Sequence, residues 1–124
     1  MILADTSVWI DHLRHGNAQL SYQLEAQSIA CHSHIIGELA LGSMRNRGEI
    51  LGLLSALPAS IEAQHGEVLE MIDRHALHSK GIGYTDAHLL ASTMLSQDLR
   101  LWTLDKRLMA IATDFSLAYS TALD

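Results

Sequence analysis

Short apolar runs alternate with longer helical periods along this chain. The apolar runs predict buried strands at 1–5, 28–32, 60–63, 100–104 and 115–119. The predicted helices follow the first strand as far as Gly16 and then cover 18–27, 33–42, 47–57, 66–78, 86–97 and a short segment from 105 onward. Ser33 and Thr85 are the predicted N-caps of the third and sixth helices. We therefore predict one α/β domain over 1–124, a three-layer α/β/α fold with a central parallel β-sheet covered by helices on both faces.

Four carboxylates occupy positions where this pattern would place neutral residues: Asp5, Glu38, Asp86 and Asp105. Asp5 and Asp105 each end an apolar run, at the carboxyl end of a predicted strand, where sites form in parallel sheets. Glu38 lies on the apolar stripe of one predicted helix, and Asp86 opens another. Carboxylates that point toward a core are costly unless they are paired or bound to metal, and few cations are placed to pair with these four. The pattern favours a divalent metal on oxygen ligands and a metal-dependent hydrolase.

The overall charge argues against a nucleic-acid partner without excluding one. The formal net charge is −6, from 14 acids and eight lysines and arginines. When the four carboxylates are set aside, the basic residues nearly balance the remaining acids. One or two bound divalent cations would bring the net charge to about zero. The single cysteine, Cys31, excludes an intramolecular disulfide and is interpreted as a small buried hydrophobe.

The sequence pattern predicts neither a signal peptide nor a membrane span. Its N-terminal residues lack the basic region and long apolar stretch of a signal peptide. No apolar run approaches the roughly 18 residues that a membrane span needs. We expect a cytoplasmic protein with no membrane association.

Four segments together resemble the PIN domain, and within it the VapC-type toxins of bacterial toxin–antitoxin pairs. They are ILADTSVWIDHL at 2–13, IIGELALG at 35–42, GIGYTDAHLLAS at 81–92 and LWTLDKRL at 101–108. Their order and spacing agree with the family over the whole chain. The resemblance implies an endoribonuclease that depends on Mg²⁺ or Mn²⁺ and acts on single-stranded or loop RNA. It also implies a cognate VapB-like antitoxin and a homodimer.

The resemblance assigns a role to each matching residue. Asp5, Glu38, Asp86 and Asp105 match the acidic quartet that holds metal and carries catalysis, and Ser7 and Thr103 match supporting hydroxyls. The chemistry of these residue types agrees, because Mg²⁺ and Mn²⁺ prefer carboxylate and water oxygens. We expect Asp5 and Asp86 to be the main metal ligands. Glu38 and Asp105 then complete the shell, hold metal-bound waters or help to deprotonate the nucleophile.

Two other classes of function compete with the nuclease. A phospho-acceptor signalling domain also uses clustered acids on an α/β fold of this size. It needs an acceptor aspartate at a mid-chain strand end, where this chain has only Glu62. A PIN-like binding module without activity is the other alternative, and the presence of all four acids argues against it.

Weaker signals are interpreted structurally. His75 and His78 have a zinc-like spacing but no cysteine set nearby, so they are interpreted as solvated or packed. Gly81-x-Gly83 is interpreted as a turn, and His88 as a surface residue. Six basic residues could contact RNA phosphates, although each alone is better interpreted as an ordinary surface charge: Arg14, Arg45, Arg47, Lys80, Lys106 and Arg107.

Overall fold

The computed structural model describes residues 1–120, and this part of the chain contains three strands and seven helices. The strands are β1 (Ile2–Ala4), β2 (Ile29–Ala30) and β3 (Arg100–Trp102). The helices are α1 (Thr6–His15), α2 (Ala18–Glu25), α3 (Ser33–Ala40), α4 (Arg47–Ala56), α5 (His65–Arg74), α6 (Tyr84–Leu95) and α7 (Lys106–Asp114). The alternation of strands and helices confirms the predicted α/β class.

β1 is the central strand of a parallel sheet with the order β2-β1-β3. Ile2 lies opposite both Ile29 and Arg100, and Ala4 lies opposite Trp102. Successive side chains of a strand point to opposite faces of the sheet. Because all three residues of β1 are buried, both faces are covered at the centre. The predicted parallel sheet between helical layers is therefore confirmed.

Two of the predicted strands, 60–63 and 115–119, are wrong as continuous strands. Each edge of the sheet is instead extended by a single parallel bridge, Cys31 with Ala59 and Leu101 with Ala118. After the first bridge the chain leaves the sheet, and the carboxylate of Glu62 accepts hydrogen bonds from Ser33 at the start of α3. Neither run is continuously buried: Ile61 is exposed, and no residue of 115–119 is fully buried.

Two helices begin with caps other than the predicted ones. At α3, Nδ1 of His32 accepts a 3.0 Å hydrogen bond from the backbone amide of His34. Ser33 instead donates from Oγ to Glu62 at 2.8 Å. At α6, the N-cap residue is Gly83, and Thr85 lies inside the first turn. Asp86, an acid in that turn, accepts a hydrogen bond from the glycine's amide.

The core of the described residues joins the sheet to the helices around it. Leu3, Leu20, Ile35, Leu90 and Leu101 are fully buried within it. The free thiol of Cys31 belongs to the same cluster, and burial raises its pKa to about 11. Such a thiol is unreactive at neutral pH. The interpretation of Cys31 as a small buried hydrophobe is therefore confirmed. None of the helices within residues 1–120 is long and apolar enough to span a membrane.

Candidate active site

Asp5 is the buried centre of the candidate site. It follows β1, is the N-cap of α1 and is only 3% exposed. Its Oδ1 accepts hydrogen bonds from Ser7 Oγ at 2.5 Å and from the Val8 amide at 3.2 Å, and its Oδ2 accepts one from Thr103 Oγ1 at 2.5 Å. Burial raises the pKa of Asp5, although these hydrogen bonds oppose the rise. Both predicted supporting residues thus contact Asp5 directly.

The two hydroxyls beside Asp5 are themselves oriented by backbone amides. The amide of Leu104 donates to Ser7 Oγ at 2.9 Å, and the amide of Asp105 donates to Thr103 Oγ1 at 3.0 Å. Because each hydroxyl oxygen already accepts a hydrogen bond, its own proton is available to the Asp5 carboxylate. The loop after β3 therefore fixes the orientation of an acid at the end of β1.

Glu38 reaches the same region from α3. Its Oε1 accepts a 2.6 Å hydrogen bond from Oγ1 of Thr6, the residue that follows Asp5. The expectation that Glu38 points toward the core is wrong, because the side chain is exposed. Ile35 and Leu39 provide the buried stripe of this short helix instead. Sequence reasoning missed the contact of Thr6, for which its place beside Asp5 was the available signal.

Asp86 and Asp105 both stabilise helix N-termini. Oδ2 of Asp86, a half-buried residue in the first turn of α6, accepts from the Gly83 amide at 3.2 Å. Oδ1 of Asp105, the exposed N-cap of α7, accepts from the amides of Arg107 and Leu108 at 2.9 and 3.0 Å. Each carboxylate uses one oxygen in these capping contacts. The other oxygen of each takes no part in capping.

The four carboxylates form one electrostatic neighbourhood. The pKa of Asp86 is raised, first by burial and then by the negative charges of Asp5, Asp105 and Glu38, against the opposing hydrogen bond from Gly83. A charge that raises the pKa of a neighbouring acid acts over a short range. The structure therefore brings together residues that are up to 100 positions apart in the chain.

Cations do not offset this negative charge in the part of the chain that the structure describes. Its two ion pairs, Asp11 with His15 and Glu70 with Arg74, both lie within single helices elsewhere. Clustered carboxylates without a cationic partner repel one another and raise the free energy of the folded state. A bound cation would remove that cost.

Comparison with known proteins identifies the family. No protein-family model matches the chain. The chain is, however, 45% identical over 118 residues to Ribonuclease VapC32 of Mycobacterium tuberculosis, in strain CDC 1551 / Oshkosh and in strain ATCC 25618 / H37Rv. The match covers 95% of this chain and 95% of the relative. The chain belongs to the VapC family. The resemblance to VapC-type PIN domains is thereby confirmed over nearly the whole chain.

The donor atoms in this VapC-family site suit a hard divalent cation. Mg²⁺ and Mn²⁺ bind carboxylate and water oxygens, and carboxylates are the groups that meet here. Within residues 1–120, no three His, Cys, Asp or Glu side chains lie close enough together to hold an ion as they stand. The site therefore fits the ion by the type of its donor atoms.

His88 is buried, so its interpretation as a surface residue is wrong. It is 6% exposed, and its ring centroid lies 4.3 Å from that of His34 and 4.6 Å from that of Tyr84. All residues of this VapC-family chain from Ala87 to Thr93 are buried, so α6 has no solvent-facing side in this stretch. Burial lowers the pKa of His88, with a further contribution from His34.

The other weak signals follow their structural interpretations. His75 and His78 are both exposed, and the ring of His75 packs against Phe115 with centroids 4.8 Å apart. Gly81 has a φ of +82°, as a tight turn requires. A Cβ at Gly81 would lie 2.6 Å from Cδ of Arg107, so this basic side chain rests against the turn.

Proposed function

We propose that this VapC-family chain is a metal-dependent endoribonuclease, the toxin of a type II toxin–antitoxin pair. The observation that supports the proposal is that the charges of Asp5, Glu38 and Asp105 all raise the pKa of Asp86, and that no ion pair within residues 1–120 involves any of the four acids. The name of the relative, Ribonuclease VapC32, supports RNA as the substrate. We assign Mg²⁺ or Mn²⁺ as the cofactor because of the oxygen donors.

The protein's own residues have distinct tasks in this proposal. Asp5, held by three hydrogen bonds, is the fixed ligand, and Asp86 is the second ligand. Glu38 and Asp105 are more exposed, so they can hold or deprotonate the attacking water. When bound, the ion lowers the pKa of a coordinated water and neutralises the phosphate. Ser7 and Thr103 act through Asp5 and are positioning residues.

Metal removal tests the enzymatic part of the proposal. Purified protein should cleave single-stranded RNA in Mg²⁺ or Mn²⁺, and EDTA should abolish cleavage. Restoring excess Mg²⁺ should restore it, while Asp86→Asn protein purified in parallel controls for contaminating ribonuclease. Full cleavage in EDTA by wild type, with none by the variant, would show that the acids act without metal.

An antitoxin partner follows from the same surface chemistry. The negative potential of the carboxylates favours a guanidinium from a cognate VapB-like protein. An apolar cavity of about 280 Å³ between α1, α2 and α4, beside the 59% exposed Leu53, offers a docking surface for such a partner. We further propose a homodimer that acts in the cytoplasm.

Expression of this protein alone should be toxic to the cell, and expression of the neighbouring gene should relieve the toxicity. Harmless overexpression of protein that is active in vitro would argue against a toxin.

A PIN-like binding module without activity is the remaining alternative. It shares the fold but does not need a divalent ion. Calorimetric titration with Mg²⁺ or Mn²⁺ separates the nuclease from the binding module. The module would show no binding of the ion that depends on the carboxylates.

A further inference from the structure

A groove of about 560 Å³ opens from the carboxylate site between α1 and the segment that follows α3. Glu38 forms part of its lining, so the groove is continuous with the site. Arg14 and Arg45 are also in its lining, and Ile10, Leu13 and Met44 give it an apolar wall. One cavity thus combines a carboxylate, two guanidiniums and an apolar surface.

One face of α1 connects the carboxylate site to Arg14. Thr6, Ile10, Leu13 and Arg14 recur at helical spacing and share that face. Thr6 holds Glu38 by its hydrogen bond, and Arg14 lies eight residues further, about 12 Å at 1.5 Å per residue. Arg14 is therefore too far away to act on the cleaved bond but is placed to contact a neighbouring phosphate.

The second arginine reaches the groove from the other side. Arg45 lies in the segment between α3 and α4, which Arg47 closes by donating from Nε and Nη2 to the Ala40 carbonyl at 3.1 and 2.8 Å. Arg47 is thus occupied by the backbone. Arg14 and Arg45 are exposed, and neither belongs to the two ion pairs found within residues 1–120.

We propose that Arg14 and Arg45 form a phosphate subsite for single-stranded RNA, which positions the strand so that an adjacent phosphodiester meets the carboxylates. The proposal rests on the proposed nuclease function. A guanidinium recognises phosphate oxygens through two parallel hydrogen bonds. The apolar wall beside the arginines offers a surface for an unstacked base or ribose, which a single strand presents and a duplex does not.

Cleavage kinetics test this role. In Mg²⁺, Arg14→Ala and Arg45→Ala should each raise KM for a single-stranded RNA about tenfold and leave kcat within about twofold, because the lost contact binds substrate and transition state alike. Arg14→Lys should fall between alanine and wild type, since it keeps the charge and loses the bidentate geometry. Arg74→Ala, which removes an exposed arginine of α5, is the matched control and should leave KM unchanged.

Binding measured without cleavage provides an independent readout. A fluorescein-labelled RNA of about 12 nucleotides is titrated in EDTA and followed by anisotropy between about 50 and 200 mM salt. The slope of log affinity against log salt should decrease by about 0.7 for each arginine removed. Thermal unfolding of every variant checks the fold, and Arg14→Gln and Arg45→Gln replace any alanine variant that does not fold.

The outcomes separate the subsite from the nuclease function. If wild type cleaves no RNA, the nuclease function fails, and equal RNA binding by wild type and the double alanine variant then overturns the subsite as well. A fall in kcat with KM unchanged would also overturn it. So would a double variant that binds RNA normally but escapes inhibition by the antitoxin, because the groove would then hold a protein.

Discussion

Replacing Asp86 by asparagine should separate metal binding from folding. The oxygen of an asparagine can keep the single hydrogen bond from the Gly83 amide. The negative charge itself is unfavourable, because burial and three neighbouring acids raise the pKa of Asp86. Without metal, the Asp86→Asn protein should therefore unfold at the same temperature as wild type or higher.

Metal should reverse this order of stability. An ion at about one hundred times its Kd stabilises the folded state by roughly 2.7 kcal/mol. In a domain of this size, 1 kcal/mol shifts Tm by about 4 °C, so wild type should gain about 10 °C. Asp86→Asn should lose most of this gain and several orders of magnitude of cleavage, because a ligand is missing.

The pH dependence follows from the direction of the pKa shift. The folded-state pKa of Asp86 lies above its unfolded value of 3.8, so its ionisation opposes folding. Metal-free wild type should match Asp86→Asn below pH 3.8 and lose stability relative to it as the pH rises through the folded-state pKa. Circular dichroism melts with and without Mg²⁺ measure this difference, with the exposed Asp73→Asn as the matched control.

Two results would refute the reasoning about Asp86. A metal-free Asp86→Asn protein that melts several degrees below wild type would mean that the carboxylate mainly caps α6. Equal stabilisation of both proteins by Mg²⁺ would mean that Asp86 is not a ligand.

Three further predictions concern the buried polar groups. Asp5→Asn should melt below Asp86→Asn, because the amide nitrogen of asparagine cannot accept the hydrogen bond that one of the two neighbouring hydroxyls donates to Asp5. The loss of one such buried hydrogen bond costs about 1–3 kcal/mol, and equal melting temperatures would contradict this. Thr103→Val should lower stability by a similar amount and also reduce cleavage, whereas the exposed Thr113→Val should do neither. The pKa of His32 is lowered to about 4 by burial, so stability from its neutral form is lost as pH falls from 6.5 to about 4. His32→Asn, which can still cap α3, should remove roughly 3 kcal/mol of that pH dependence in acid melts, and an unchanged pH profile would refute it.

The sequence predicted the class of fold because the central elements have strong local signals. The run Ile2-Leu3-Ala4 is wholly apolar, and both β1 and β3 formed where such runs were found. The outcome at 60–63 and 115–119 was not predictable, since an apolar run does not show whether the neighbouring backbone forms a ladder. At 60–63, Glu62 is engaged by a long-range hydrogen bond from Ser33, which no local pattern shows.

The sequence indicated which residues belong to the candidate site better than it indicated how deeply each one is buried. Asp5 was expected to be buried and is, whereas Glu38 and Asp105 were expected to face the core and are exposed. Helical periodicity locates a face but not the depth of the residues on it. The contact between Thr6 and Glu38 depends on how α1 meets α3, which no local pattern encodes.

The hydroxyls that orient Asp5 come from opposite ends of the chain, and this has a consequence for synthesis. Thr103 reaches Asp5 only when Ala4 pairs with Trp102 across β1 and β3. A chain still emerging from the ribosome lacks the strand that completes this pairing, however well its first helices have formed. A fragment that stops before residue 100 therefore carries three of the four acids but lacks Thr103, one of the two hydroxyls that orient the first one. Premature termination should yield products that are harmless to the cell that makes them.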